Sequence, residues 1–345
     1  MKFKDRYELI GELQNANSGN ARWGFVKDIY SGEEFFIKEF LSPKYPVKGT
    51  SGSKKVLERR KERCIEFEKR QKLLKDTILS KTAPGGNLVT TIDFFREGTK
   101  YYKISEKIDV TSFTIKDIYA LKLEDKLMLM KTIAHSLKIL HDLNILHADL
   151  KPDNILIKKT AKGLYTTKLI DFDDSFFIND IPKSINDLVG TMLYYSPEIA
   201  NAIDKGDASS LTLKSDIYTL GLIYCQYLTG ELPNYDRKKY DYPWEASLDD
   251  DIEIKDAKIP LVLKRLINNM LLTNKNERYS IAEVHQKLRN IKLDKMDFKE
   301  KKRIDRIYKK KRLVSMSSDL RGSLLESKSD NKSLNSKLRG SLLKK

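Results

Sequence analysis

The sequence predicts an α+β fold in which a small antiparallel sheet with one main helix precedes a larger helical region. Short apolar runs with strand periodicity occur in residues 1–107, whereas apolar residues at helical spacing begin after Leu121. At 345 residues the chain can bury a large core. We therefore expect one two-lobed unit, with lobes at 1–107 and 108–290, followed by a tail at 291–345.

The first lobe contains five predicted strands. Tyr7–Ile10 has the alternation of an opening strand, and a second strand is predicted near Arg22–Asp28. The aromatic run Phe35–Phe40 is predicted to be the third strand. Leu88–Phe95 and Tyr101–Glu106 are predicted to be the fourth and fifth, which completes the expected sheet.

Three helices and a hairpin are also predicted. The charged stretch Ser53–Leu79 is expected to be the main helix of the first lobe, and Ser280–Leu288 the final helix of the second. Ile155–Ile157 and Thr166–Ile170 are predicted to pair as a hairpin. The long helix at 121–142 is predicted from five apolar residues: Leu127, Met130, Ile133, Leu137 and Leu140.

Charge and cysteine content narrow the class of protein. The net charge of +16 belongs mainly to the tail, where 18 Lys and Arg residues face 7 Asp and Glu residues. No run approaches the ~20 apolar residues of a membrane span, and the N-terminus lacks the apolar core of a signal peptide. Cys64 and Cys225 form neither a disulfide framework nor a metal-ligand spacing. These observations favour a cytoplasmic protein.

Three oxygen-bearing side chains and one lysine flank the predicted hairpin. Asp149, Lys151 and Asn154 precede it at fixed offsets, and Asp171 follows it. Because a hairpin returns the chain to the place it left, Asn154 and Asp171 are expected to converge on one ion. Phosphoryl transfer requires mainly positioning and charge neutralisation, and these residue types supply both.

The spacing of these residues resembles the catalytic loop and metal-binding Asp of eukaryotic-type (Hanks-type) Ser/Thr protein kinases, including bacterial members with a glycine-poor phosphate loop. Gly190–Glu198 is similar to the end of a kinase activation segment, with Ser-Pro-Glu in place of Ala-Pro-Glu. Ser215–Gly221 resembles the start of the helix that supports the catalytic loop. The resemblance covers about residues 7–290 and implies a two-lobed protein-kinase fold, ATP and Mg²⁺ as cofactors, and protein substrates with Ser or Thr acceptors.

The resemblance also implies roles for residues of the second lobe. Asp149 would orient and deprotonate the acceptor hydroxyl, Lys151 would stabilise transferred charge, and Thr191 would bond to both. Asn154 and Asp171 would coordinate the metal. Four residues are implied to be structural, bracing the catalytic loop or tying the activation segment to later helices: His147, Asp216, Glu198 and Arg278.

In the first lobe, the resemblance implies that Lys38 holds the α- and β-phosphates of ATP. Its expected partner on the main helix is Glu68, with Glu58, Glu62 and Glu66 as alternatives. Four residues are implied to belong to the phosphate loop, where only one glycine is present: Ser18, Gly19, Ala21 and Trp23. Three residues are implied to line the adenine pocket, the first as gatekeeper: Ser105, Glu106 and Ile108.

Two departures from the family pattern affect regulation. Ala148 stands where many relatives carry the Arg that receives an activation-loop phosphate, so we predict a non-RD kinase that does not require that phosphate. Asp173 replaces the Gly after Asp171-Phe172 and allows fewer backbone conformations, so the segment is expected to switch less readily.

Two alternative functions remain open at this point. The glycine-poor loop favours a pseudokinase that serves as a nucleotide-binding scaffold. The run Asp171–Asp174 favours a small-molecule kinase of the aminoglycoside or choline kinase type. A pseudokinase would bind nucleotide without turnover, and a small-molecule kinase would label a metabolite and no protein.

The basic tail is interpreted first as a disordered, solvated end that follows a charged helix at 291–312. The alternatives are docking of an acidic partner, nucleic acid or anionic lipid, or modification of Ser323 and Ser341. Each of these serines lies two residues after an arginine in a short repeat.

Overall fold

The computed structural model describes residues 1–16, 21–82, 86–108, 113–160, 163–181, 190–255 and 259–291. The tail beyond residue 291 and the predicted phosphate-loop residues Ser18 and Gly19 lie outside the described residues. Within the described part of the chain, no helix is both long and apolar enough to cross a membrane.

A six-stranded antiparallel sheet forms the first lobe, as predicted. It consists of β1 (Lys2–Phe3), β2 (Tyr7–Asn15), β3 (Ala21–Asp28), β4 (Glu34–Phe40), β5 (Thr91–Glu97) and β6 (Lys100–Glu106). The strands lie in the order β1-β2-β3-β4-β6-β5. The sequence analysis did not predict β1, a short strand that places Phe3 opposite Tyr7. Both rings are fully buried, so β1 extends the aromatic core of the sheet.

The main helix of the first lobe, α1 (Lys54–Leu79), packs on this sheet. It begins where the Ser53 hydroxyl accepts a hydrogen bond from the backbone N–H of Val56, a typical N-cap. Its Cys64 and Phe67 form a cluster with aromatic residues of three strands: Phe40, Phe94 and Tyr101. Helix α1 therefore covers the part of the sheet that carries Lys38.

Seven helices and one large hydrophobic cluster make up the second lobe as the structure describes it. The helices are α2 (Ile115–Ala120), α3 (Leu123–Asp142), α4 (Pro197–Lys205), α5 (Lys214–Thr229), α6 (Pro243–Leu248), α7 (Leu261–Met270) and α8 (Ile281–Asn290). The predicted helix at 121–142 begins at Leu123, because Leu121 has extended backbone angles and ends α2. This arrangement confirms the larger helical lobe.

Helix α5 lies in the middle of the second lobe. Its residues from Ser215 to Leu228 are buried, with the exception of Gln226. At Gly221 a Cβ atom would approach the Leu271 side chain to 3.0 Å, so the glycine permits close contact with the end of α7. A rigid, buried α5 can fix the position of whatever its first turn binds.

Two short antiparallel ladders set the geometry between the lobes. The predicted hairpin is present as β8 (Ile155–Lys159) and β9 (Tyr165–Leu169). A second ladder joins β7 (Ile145–Leu146) to β10 (Phe176–Phe177). The loop at 147–154 therefore runs between β7 and β8, and the segment around Asp171 runs between β9 and β10. Both segments are anchored at each end and lie side by side.

Candidate active site

Asp216, in the first turn of α5, holds the start of the predicted catalytic loop. Its buried carboxylate accepts backbone hydrogen bonds from His147 N at 2.9 Å and Ala148 N at 3.2 Å. His141 Nε2 lies 2.9 Å from the same carboxylate. Ala148 has a left-handed φ of 67°, and Asp171 has a φ of 62°. Because such angles are costly for residues with a Cβ, fixed backbone contacts are needed to maintain them.

His147 lies between the catalytic loop and the segment that follows β9. Its Nε2 atom is 3.2 Å from the carbonyl oxygen of Ile170, and its ring meets the Phe172 ring edge-on at 5.4 Å. The imidazole is fully buried among these groups. These contacts join the loop at 147–154 to the segment around Asp171.

Asp149, Lys151, Asn154 and Thr191 meet in one cluster. Lys151 Nζ donates to Asp149 Oδ2 at 2.6 Å and to Thr191 Oγ1 at 3.2 Å. Asn154 Nδ2 donates to the backbone oxygen of Asp149 at 2.7 Å and to Asp149 Oδ2 at 3.1 Å. The backbone N–H of Thr191 donates to Asp149 Oδ1 at 3.3 Å, while the Thr191 hydroxyl accepts the hydrogen bond from Lys151. The cluster therefore holds one carboxylate from three directions.

Gly190 allows the activation segment to approach this cluster. A Cβ atom there would lie 2.7 Å from a ring carbon of Tyr195, closer than real contacts permit. The Tyr195 hydroxyl also donates to the Gly190 carbonyl oxygen at 3.0 Å. The packing of Tyr195 therefore leaves no room for a side chain at the residue before Thr191.

Lys38, on β4, reaches across to the segment after β9. Its Nζ lies 2.9 Å from both carboxylate oxygens of Asp171 and 2.7 Å from Asp173 Oδ2. Burial alone would lower the pKa of Lys38, but the charges of Asp173 and Asp171 outweigh it and raise the pKa. Burial would likewise raise the pKa of Asp171, but Lys38 and then Lys103 hold that pKa well below its usual range. The site therefore contains charged lysine and charged aspartate at neutral pH.

Asp174 adds a further acid beside this pair. Burial, followed by the charges of Asp171, Asp173 and Asp149, raises the pKa of Asp174 to about 8. This carboxyl group is therefore mostly protonated at neutral pH, and it adds little negative charge to the site.

Glu68 is not the partner of Lys38, which corrects the expected pairing. Glu68 Oε1 accepts a hydrogen bond from the Tyr101 hydroxyl at 2.7 Å, and its carboxylate lies 3.9 Å from Lys72 and from Arg96. The residue of α1 that points toward the site is Gln71, whose Nε2 donates to the backbone oxygen of Asp173 at 3.2 Å. The buried stripe of Cys64, Phe67, Leu74 and Ile78 has i, i+3, i+4 spacing that passes through Gln71. That spacing was the signal that could have identified Gln71.

The other predicted nucleotide-site residues line one face of the sheet or its edge. Trp23 faces Lys38 across the β3–β4 ladder and stacks on Phe36 with ring centroids 5.9 Å apart. Ala21 is buried at the start of β3. Ser105 is buried on β6, opposite Phe36. Glu106 ends β6 and pairs with Lys168 at 2.5 Å, and the half-buried Ile108 follows it.

Glu198 and Arg278 form the expected pair beneath the activation segment. Arg278 Nη1 lies 2.7 Å from Glu198 Oε1, and the two side chains are 0% and 8% exposed. The same guanidinium donates to three backbone carbonyls, those of Leu272, Lys214 and Thr273. Burial lowers the pKa of Arg278, and the charge of Glu198 opposes this effect. The pair links the start of α4 to the loops around α5 and α7.

Lys103, on β6, was missed by the sequence analysis. Its ammonium contacts Asp173 Oδ1 directly and lies 3.9 Å from Asp171 Oδ1. The signal was available, because Lys103 is a lysine within the apolar run Tyr101–Ile104, the same kind of pattern that identified Lys38.

Comparison with known proteins gives one consistent result. Residues 48–288 match the family model described as the protein kinase domain. The chain is 25% identical over 244 residues to calcium-dependent protein kinase 4 of Plasmodium berghei, which covers 69% of this chain and 40% of that protein. It is 32% identical over 168 residues to the ovarian-specific serine/threonine-protein kinase Lok of Drosophila melanogaster, a match that covers 45% of this chain and 32% of that protein. It is 24% identical over 236 residues to the probable serine/threonine-protein kinase PknB of Lactococcus lactis, a match that covers 67% of this chain and 32% of that protein.

These matches cover only part of each protein. The chain spans 40% or less of the length of these three relatives. The matched family range begins at residue 48, so Lys38 and strands β1 to β4 lie before it. The placement of Lys38 in the site therefore rests on the geometry of the sheet.

Proposed function

The chain belongs to the protein kinase family, and from this premise we propose that it transfers the γ-phosphate of ATP to Ser and Thr hydroxyls of proteins. The observation that carries the proposal is the Lys151 ammonium, which bridges the Asp149 carboxylate and the Thr191 hydroxyl at 2.6 and 3.2 Å. A carboxylate, a cation and a hydroxyl in this arrangement suit an acceptor that loses a proton while gaining a phosphoryl group.

Each residue of the cluster has a distinct task in this proposal. Asp149 accepts the proton of the attacking hydroxyl, and its orientation is set by the backbone N–H of Thr191 and the amide of Asn154. Lys151 balances the charge that builds up on the transferred group. Lys38 holds the α- and β-phosphates, and Thr191 positions Lys151. Lys151 and Thr191 together favour Ser and Thr over Tyr as acceptors.

Asn154 and Asp171 are the proposed ligands of Mg²⁺, which supplies charge neutralisation for the phosphates when it is bound. Because Asn154 Nδ2 is engaged by two oxygens of Asp149, its amide oxygen points the other way. Asp171 contributes an ionised carboxylate. Mg²⁺ usually takes one or two carboxylates and completes its shell with substrate phosphates and water.

We propose that activity is independent of activation-loop phosphorylation. Ala148 offers a methyl group where a phosphate-binding Arg would be needed. Ser175, one candidate phosphorylation site, is fully buried, and its hydroxyl donates to the carbonyl oxygen of His147 at 3.1 Å. A phosphate on Ser175 would break this contact. Ser184, a second candidate, lies outside the described residues.

The test is transfer of label from [γ-³²P]ATP to a generic basic protein in the presence of Mg²⁺, with phosphatase-treated protein. We expect phosphoserine and phosphothreonine on the acceptor, and a loss of at least roughly 100-fold in Asp149→Asn, because general base catalysis contributes about 10²–10⁴-fold. ATP binding without label transfer would indicate a pseudokinase. Label that appears only on added metabolites would indicate a small-molecule kinase. Activity lost on phosphatase treatment would contradict the proposed independence.

We also propose a cytoplasmic location and protein substrates. Cys64 and Cys225 are both free and buried, which supports a reducing compartment. Fractionation of cells that produce the tagged full chain would test the location.

A further inference from the structure

Two lysines lie side by side in the cleft. Lys38 on β4 and Lys103 on β6 are direct partners in the antiparallel ladder, so their side chains leave the same face of the sheet. Their side chains are only 16% and 9% exposed. Two neighbouring buried ammonium groups are unfavourable unless nearby anions compensate both charges.

Asp173 supplies the anion that the two lysines share. Its Oδ2 lies 2.7 Å from Lys38 Nζ, and its Oδ1 is in direct contact with Lys103 Nζ. Asp171 Oδ1 lies 2.9 Å from Lys38 and 3.9 Å from Lys103. One carboxylate thus bridges both ammonium groups, and a second carboxylate lies within reach of both.

Helix α1 supplies no acid to this cluster. Its inward face consists of Cys64, Phe67, Gln71, Leu74 and Ile78. Gln71 meets the cluster only by donating to the backbone oxygen of Asp173. Among the residues that the structure describes, the carboxylates that contact the two lysines therefore come from the segment after β9.

We propose that Lys103 is a second phosphate-binding lysine, and that Asp173 is a positioning residue that holds it beside Lys38. The inference rests on the proposed function, because its ligand is the triphosphate of ATP. Asp171 is the proposed metal ligand, so Asp173 is the one carboxylate of the cluster dedicated to two lysines. With Asp171 assigned to the metal, the cluster has two ammonium groups and one carboxylate, which leaves one positive charge to attract phosphate.

Two observations support this assignment: the position of Lys103 next to Lys38, and the single glycine of the predicted phosphate loop. Asp171 Oδ1 lies 2.9 Å from Lys38 Nζ and 3.9 Å from Lys103 Nζ, so both ammonium groups can approach one anionic oxygen. Ser105 follows on the same face of β6 and is small. The predicted phosphate loop has one glycine, Gly19, and glycine is the residue that lets backbone approach a ligand closely. A second ammonium adds a charge-assisted donor to the site.

The test compares binding of a non-hydrolysable ATP analogue with binding of adenosine, by calorimetry on the full chain. We expect Lys103→Met to weaken binding of the analogue by about tenfold or more, the range of a hydrogen bond to a charged group. Adenosine affinity should change less than about twofold, since adenosine has no phosphate. Lys103→Arg should retain most of the analogue affinity. Lys100→Met is the matched control, because Lys100 is on the same strand and pairs with the buried Glu39 at 3.0 Å, outside the lysine cluster.

A second variant addresses the case in which Lys103→Met does not fold. The double variant Lys103→Met with Asp173→Asn removes one charge of each sign, so the net charge of the cluster is unchanged. A selective loss of analogue affinity in this variant supports direct phosphate binding by Lys103. Equal affinities in wild type and both Lys103 variants overturn the inference but leave the proposed function intact. Wild-type protein that binds adenosine but no ATP analogue overturns both.

Discussion

At the scale of a single residue, Thr191 separates backbone from side-chain contributions to the site. Thr191→Ala removes the hydroxyl that accepts from Lys151 but keeps the backbone N–H that contacts Asp149. We expect kcat to fall by about tenfold or more, because a hydrogen bond to a charged group is lost. The KM for ATP should change little, since Lys38 is untouched. Thr191→Ser should restore kcat, and an equal loss in Ser and Ala variants would contradict a role for the hydroxyl.

Glu198 and Arg278 are also best compared one residue at a time. Glu198→Ala leaves the Arg278 guanidinium buried without its counter-charge, so we expect the free energy of unfolding to fall by about 3–5 kcal/mol. Arg278→Ala should cost more, because three backbone carbonyls also lose their donor. Glu198→Gln should lower the free energy of unfolding least, since the amide oxygen can still accept a hydrogen bond from Arg278. Chemical denaturation measures all three, and a loss below about 1 kcal/mol for Glu198→Ala, typical of exposed pairs, would contradict the prediction.

At the scale of elements, Glu68 connects helix α1 to the sheet. Burial, followed by the hydrogen bond to Glu68, raises the pKa of Tyr101, so its hydroxyl remains a donor at all ordinary pH values. Glu68→Ala should lower the free energy of unfolding by about 1–3 kcal/mol, because the buried hydroxyl loses its acceptor. ATP affinity should stay unchanged, since Lys38 has other partners. Tyr101→Phe is the control, and the double variant should cost less than the sum of the two.

The contact between helices α3 and α8 predicts a pH dependence. The rings of His135 and His285 lie 5.5 Å apart, and burial, then the charges of His135, Arg289 and Lys138, lower the pKa of His285. The unfolded chain therefore binds a proton more readily than the folded one below about pH 6.5. The stability that this histidine contributes is present above that pH and is lost as the pH falls. We expect Tm to fall less between pH 7.5 and 5.5 in His285→Gln than in wild type, and an unchanged fall would contradict the assignment.

At the scale of the whole molecule, most of the net positive charge lies in the tail, and the candidate site lies in the residues before it. The tail from residue 291 carries +11 of the net charge of +16, while the predicted site residues lie between Ser18 and Arg278. A chain ending at residue 291 should retain ATP turnover and lose most of its binding to anionic vesicles or nucleic acid, because electrostatic attraction follows the basic residues. Turnover and vesicle binding of the full and shortened chains test this. Loss of turnover would show that the tail belongs to the catalytic unit.

Sequence patterns predicted the parts of the site that are close together in the chain. Asp149, Lys151 and Asn154 lie within six residues, and a tight hairpin brings Asp171 to them, so local geometry was enough. The partner of Lys38 could not be found in this way. It depends on how α1 is rotated about its axis and on where the segment after β9 places Asp173 relative to Lys38, and neither is a local property.

The sequence by itself determined the two-lobed architecture, the strands and main helices, and the catalytic loop, because periodicity and short motif spacing specify elements and local turns. Only the tertiary structure decided that Glu68 bonds to Tyr101 while Gln71 contacts the backbone of Asp173, and that Lys103 and Lys38 share the Asp173 carboxylate. The reason is physical. Helix α1 carries several acids, and the packing of its apolar stripe determines that Gln71, and none of these acids, is the polar residue on the buried face. The register between β4 and β6 then places two lysines far apart in sequence on one carboxylate.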